Sequence, residues 1–130
     1  MKICFATLSD AANASQDGKT NILGIFQRLY AQSVPATHGT MVLTIVFRVT
    51  EMRDLHPQEI HIVINDPDGD ELFNNSLPYE PEATIKRGMV HNYFLIFSNF
   101  LLPKFGDYTI HIQAGNEFTS VPLSVVPFVP

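Results

Sequence analysis

The sequence has no tryptophan, a single cysteine and a charged fraction of only 16%. Each shortage excludes something. Without tryptophan, the ring most often recruited as a sugar-stacking platform is missing, and the ten phenylalanines and four tyrosines suit a core better. With Cys4 alone, no intrachain disulfide can form, and a cysteine in an apolar strand is expected to act as a small buried hydrophobe. No apolar run approaches the roughly 18 residues a membrane-spanning helix requires. Phosphate-cradling glycine loops, the G-x-S-x-G nucleophile elbow and zinc-ligand spacings are all missing. Eight basic residues against thirteen acidic ones give a net charge of −5, with no Lys/Arg block larger than Lys86-Arg87. Such a chain lacks the electrostatic footprint for nucleic acid or for anionic membranes. The opening residues imitate a signal peptide, with Lys2, a short apolar run and Ala12-Asn13-Ala14. The run from Ile3 to Leu8 is shorter than the ~7 residues an h-region needs, and Asp10 interrupts the pattern, so a cytoplasmic location is expected.

What is present is alternation. In Phe105 to Val126, Tyr108, Ile110 and Ile112 alternate with Thr109, His111 and Gln113. Gly115-Asn116 then gives a Gly-first two-residue turn, after which Val121, Leu123 and Val125 resume the pattern. A lone hairpin is marginal in water, so its apolar face requires a second sheet. Upstream, Lys2 to Leu8 reads as an interior strand apolar on both faces. Ser9 to Thr20 reads as a loop with one helical turn over Asp10 to Ala14, and Asn21 to Ala31 as a single strand interrupted by Gly24. Gln32 to Thr40 reads as a crossing loop. Met41 to Glu51 places Leu43, Ile45, Phe47 and Val49 inward, with Thr44, Arg48 and Thr50 toward water. Gln58 to Asn65 and Glu71 to Ser76 read as strands joined by the turn Asp66-Pro67-Asp68-Gly69. Leu77 to Pro81 marks a sheet edge or a loop, and Glu82 to Arg87 adds a further short strand. His91 to Leu102 is nearly continuous apolar residue, which predicts a central strand covered on both faces with Ser98 buried inside it. Phe128 and Val129, in an uncharged tail, are expected to be anchored.

Eight or nine short strands, regular turns and no convincing helix predict one all-β domain over residues 1–130. The expected form is a two-sheet antiparallel sandwich, immunoglobulin-like with Greek-key connections, with a jelly roll or a closed barrel as the alternatives, since pattern alone does not give strand order. Tyr108, just after Gly106-Asp107, stands where such sandwiches often keep a tyrosine whose hydroxyl returns to nearby backbone.

Three stretches carry a resemblance: Gly18-Lys19-Thr20-Asn21-Ile22-Leu23-Gly24-Ile25-Phe26, then Asp66-Pro67-Asp68-Gly69, then Phe105-Gly106-Asp107-Tyr108 ending in Pro122-Leu123. In this order they resemble the landmarks of a family of uncharacterised bacterial proteins of about this length. The resemblance implies a bacterial, single-domain β-protein, cellular or phage-associated, and brings no activity and no site residues with it.

Chemistry is sparse. Asp66, Asp68 and Asp70 in one turn are candidate calcium ligands, although Gly69 stands at the fourth position of the loop where an EF-hand needs it at the sixth. A hairpin turn with solvated acids is the simpler reading. His61 and His111 lie on outward faces and would meet if their strands were neighbours. Tyr30, Tyr79, Phe118 and Phe128 sit at loop edges, on the polar phase of a strand or in the tail, where an exposed ring could anchor a partner. These features point to a non-enzymatic binding or assembly module without cofactor, engaging a protein partner or a second copy of itself. The alternative is a sandwich that binds a small ligand or carbohydrate, with or without calcium.

Overall fold

The computed structural model describes residues 1–81 and 85–129. Nine strands follow one another: β1 (Lys2–Ala14), β2 (Thr20–Ile25), β3 (Arg28–Ala31), β4 (Ala36–Arg48), β5 (Gln58–Asn65), β6 (Glu71–Tyr79), β7 (Val90–Leu102), β8 (Gly106–Ala114) and β9 (Glu117–Pro127). A 3-10 turn over Met52–Leu55 separates β4 from β5. They form two sheets, ordered β2-β1-β4-β7 and β3-β9-β8-β5-β6. Every ladder is antiparallel except β3 on β9, which is parallel.

The five-stranded sheet is built as the alternation dictates. Ile60, Ile62 and Ile64 of β5, Tyr108, Ile110 and Ile112 of β8, and Val121, Leu123 and Val125 of β9 are all buried. Opposite them pack Leu8, Met41, Leu43, Ile45, Phe47 and Phe97 of the four-stranded sheet. Each such side chain contributes about 1.5–3 kcal/mol by leaving water. The final hairpin closes through Gly115 at φ 60° between paired Ala114 and Glu117. The Tyr108 hydroxyl donates to the carbonyl of Lys104 at 2.6 Å and accepts its N–H at 2.9 Å, which pins the loop entering β8.

Several expectations are corrected. Asp10 to Ala14 is not helical: β1 runs on to Ala14 because Ala11 to Ala14 find partners in Leu23 to Thr20, and ladder pairing overrides a weak local preference. The stretch Asn21 to Ala31 is two strands in different sheets. Gly24, at φ 72°, lets the Asp10 side chain approach to where a Cβ would sit. The chain then crosses at Phe26-Gln27, where the Phe26 N–H bonds the carbonyl of Leu8 and the Gln27 carbonyl accepts from Ser124. The crossing loop over Gln32 to Thr40 is strand from Ala36 onward, and β6 continues through Pro78 to Tyr79 at a sheet edge. Cys4 is exposed, because the ladder shifts between Ile3 and Phe5 and turns it outward. Ser98 is exposed as well. The Phe128 N–H bonds the carbonyl of Ala31, but its ring is half exposed and Val129 stands mostly in solvent. The short strand expected over Glu82 to Arg87 falls partly on residues 82–84, which lie outside the described residues; Ile85 to Arg87 is not strand.

One correction reorganises the fold. Thr44, expected to face water, is fully buried, as are its face-mates Val42 and Val46. They lie on the side of β4 turned away from the sandwich core, the side on which the β1–β2 hairpin runs. β1 stays beside β4 only as far as Ser9, opposite Val42. The far end of the hairpin nevertheless reaches back to the level of Val46, where the Thr20 hydroxyl donates to the side-chain oxygen of Asn92 on β7. The hairpin therefore folds back across the outer face of β4 and β7.

Tyr108→Phe leaves the Lys104 carbonyl and N–H without their partner and is expected to cost about 1–3 kcal/mol. Urea denaturation checks this as a lower midpoint at unchanged slope.

Candidate functional site

The acids of the Asp66 turn are committed to structure. Asp66 is buried, and one of its carboxylate oxygens accepts the backbone N–H groups of Asp68 and Asp70, each at 2.9 Å, which locks the turn between β5 and β6. The Lys104 ammonium pairs with Asp66 at 3.2 Å and also with Asp68. A cation already stands where calcium would have to sit, and no cluster of three or more metal-ligating side chains exists among the described residues. Burial opposes ionisation of Asp66, but the Asp70 N–H, the Lys104 ammonium and the Asp68 N–H outweigh it and hold the carboxyl below the usual carboxylate range. Asp54 is the second buried acid. Burial again works against its charge, yet the Met1 ammonium at 2.5 Å and the N–H groups of Glu51 and Thr50 bring its pKa down to about 2.

The two histidines do come onto one face. β5 and β8 are neighbours, with His61 opposite Gln113 and His111 opposite Val63, so the rings are diagonal across the ladder. Each turns to a neutral partner: His61 Nδ1 to the Ser76 hydroxyl at 2.8 Å, His111 Nε2 to the Asn65 carboxamide at 3.3 Å. With Val63, Gln113, Phe118 and Ser120 they line an open depression of 390 Å³. Of the four aromatic candidates, Phe118, Tyr30 and Phe128 are exposed, at 73%, 63% and 46%. Tyr79 is not. It is 2% exposed and packs edge-on against Phe47 at 5.0 Å, because it closes the inward phase of β6 that the intervening proline obscured.

The surface that sequence reasoning placed wrongly is β7. Expected at the centre, it is the outermost strand of its sheet, and its backbone ladder runs, among the described residues, to β4 and to no other strand. Half of its backbone N–H and C=O groups therefore point away from the sheet, with no strand beside them among the described residues. Its inward side chains Tyr93, Leu95 and Phe97 pack on the core, while Ile96 is 64% exposed and Val90 and Leu101 also stand in solvent. Over thirteen residues it carries no Asp, Glu, Lys, Arg, Pro or Gly.

The other three edges each contain something that discourages pairing. β2 has six residues with Gly24 at positive φ, β3 has four residues, and β6 contains Pro78 in a stretch rich in Asn and Ser. The signal that could have found the β7 edge was its missing charge, read as a sign of burial.

Asp54 and Asp66 both have depressed folded-state pKa values, so their stabilisation is complete above the ordinary carboxylate value of about 4 and fades as pH falls through the folded values. Thermal melts should be flat from neutral pH to about 5 and decline below about 4. Asp54→Asn should cost about 1–2 kcal/mol at pH 7 and flatten that decline.

Among the described residues, no helix is long and apolar enough to cross a membrane. No curated protein matches the chain. A family model does match, over residues 4–126, nearly the whole of the sandwich, and the chain belongs to that family, described as "Family of unknown function (DUF6941)".

Proposed function

We propose that this protein is a non-enzymatic binding and assembly module that engages protein through the free edge of β7. One observation carries the reading: a thirteen-residue edge strand without a single Asp, Glu, Lys, Arg or Pro, in which Ile96 is exposed. Backbone groups along such an edge supply affinity to an added strand, and the side chains flanking them supply selectivity. The non-enzymatic reading is supported by how the polar groups are used. His61 and His111 bond neutral partners, and the buried acids hold turns together. The tyrosine contact at Lys104 supports grouping the sandwich with immunoglobulin-like domains, a class whose edges and loops commonly serve recognition. A bacterial cytoplasmic setting, cellular or phage-associated, fits the free, exposed Cys4 and the family resemblance.

A second reading has its own observation. The depression lined by His61, His111 and Phe118 has the volume of a small-ligand site and an exposed ring at its rim, which suits a sugar or another small polar molecule. Calcium assistance at the Asp66 turn is not part of it, since Lys104 already neutralises those acids.

Ile96→Lys places a charge on the edge, and because Ile96 is mostly in solvent the substitution should change stability by no more than about 0.5 kcal/mol. Proteins retained from the native cell by the immobilised wild-type chain should be lost with Ile96→Lys and kept with Phe118→Ser. The reverse pattern would favour the ligand groove as the working surface.

A further inference from the structure

Resting on the reading of β7 as a binding edge, we infer that its occupant is a second copy of this chain, added antiparallel about a two-fold axis that crosses the strand between Val90 and Ser98.

Three observations lead there. The first is symmetry. The outward N–H and C=O groups of an antiparallel strand repeat in a pattern that a two-fold rotation maps onto its own complement, so such an edge fits itself with no further sequence requirement. β7 is antiparallel to β4 along its whole length, and the segment before Asn99, which turns the chain at φ 53°, is the regular part of its edge. The second is charge. At −5, two copies repel each other over most approaches, yet β7 holds no Asp, Glu, Lys or Arg, so this edge is where copies can meet without opposing like charges. A partner recognised by opposite charge would find nothing on β7 to pair with. The third is the contrast among edges. Short length, positive-φ glycine or proline disfavours addition at β2, β3 and β6, whereas the irregular residue of β7, Asn99 at φ 53°, lies beyond the Val90 to Ser98 segment, which has none of these devices. An edge left open while the others are blocked is open for a reason, and an uncovered apolar edge of this length would otherwise template aggregation.

Pairing two β7 strands joins the four-stranded sheets into one continuous sheet of eight. Ile96, projecting from the strand at the junction, gains cover from the second copy. The Thr20–Asn92 hydrogen bond holds the β1–β2 hairpin over the outer face next to the seam, so it also sets how closely the second copy approaches.

Sedimentation equilibrium of the full chain tests this. The expected result is a species of twice the 14.6 kDa chain mass. Ile96→Lys should weaken association at least about 100-fold, since it sets a lysine from each copy on the same seam. Phe118→Ser, on the other sheet, should leave association unchanged. Native-state hydrogen exchange gives an independent readout: alternate amides between Val90 and Ser98 should gain protection as concentration rises, while β6 amides do not. A wild-type chain of single mass at several hundred micromolar, or a dimer insensitive to Ile96→Lys, would overturn the assignment. A monomer that still loses its captured protein on Ile96→Lys overturns the second copy but keeps the edge as a protein-binding site. If that capture is also insensitive to the substitution, both readings fall.

Discussion

The structure depends on β4 being covered from both sides. Its inner phase, Met41, Leu43, Ile45 and Phe47, forms one wall of the sandwich core, and its outer phase, Val42, Thr44 and Val46, is buried on the side across which the β1–β2 hairpin folds back to reach Asn92. A strand buried on both faces loses solvent as a partner for every side chain. That makes its register costly to shift, because a one-residue slip would expose one apolar set and misplace the other. From this the neighbours follow: β1 must leave β4 at Ser9 to let the hairpin turn back, and Gly24 must lack a Cβ where Asp10 crosses close. β7 is then held at the far side of β4, with no strand on its other edge among the described residues. Thr44 shows what this cover costs. Its hydroxyl is buried with no hydrogen-bond partner among the described residues, a penalty that a tightly constrained strand tolerates.

Which parts of this were legible in the sequence follows from how many faces each strand wets. β5, β8 and β9 have one buried and one wet face, so Ile60-Ile62-Ile64 and Tyr108-Ile110-Ile112 announce both the strand and its orientation. The Gly115-Asn116 turn and the Tyr108 hydroxyl contact were legible for the same reason, being local geometry written in local residues. β4 was half legible. The run Met41-Val42-Leu43-Thr44-Ile45-Val46-Phe47 is nearly continuous apolar, the mark of two-sided burial, but Thr44 imitates an alternation and hides it. The second half of β1 was obscured because Ala, Asn and Ser carry little strand preference, and only the ladder to β2 makes Ala11 to Ala14 extended.

The candidate surface divides along the same line. Strand adjacency is long-range information, so whether His61 and His111 meet, or whether β7 is central, could not be read from pattern alone. The β5–β8 ladder brings the histidines onto one face with Phe118, which loop and strand phase had marked separately. The acids of the Asp66 turn were visible as a cluster, but Lys104 lies thirty-eight residues away in sequence, and it converts a candidate cation site into an ion pair. Tyr79 was misassigned because Pro78 suggested a loop, while β6, as an edge strand, can accommodate proline where its N–H would have faced solvent.

The composition of β7 and its position are reconciled by treating coverage as something another molecule can supply. A run such as Val90–Leu102 implies that its polar backbone and apolar side chains will not remain in water, and that inference holds whichever chain provides the cover. Within one copy the inner face is met by Phe73 and the core, and part of the outer face by the hairpin tip, which leaves the lateral edge. Blocking that edge would have needed only a lysine or a proline, devices that cost little on an exposed strand. A charged residue at Ile96 would not disturb the core, since Ile96 contributes little to it, so the apolar choice there is not explained by the fold of a single copy. The sandwich can therefore be complete as a folding unit and still be incomplete as a surface.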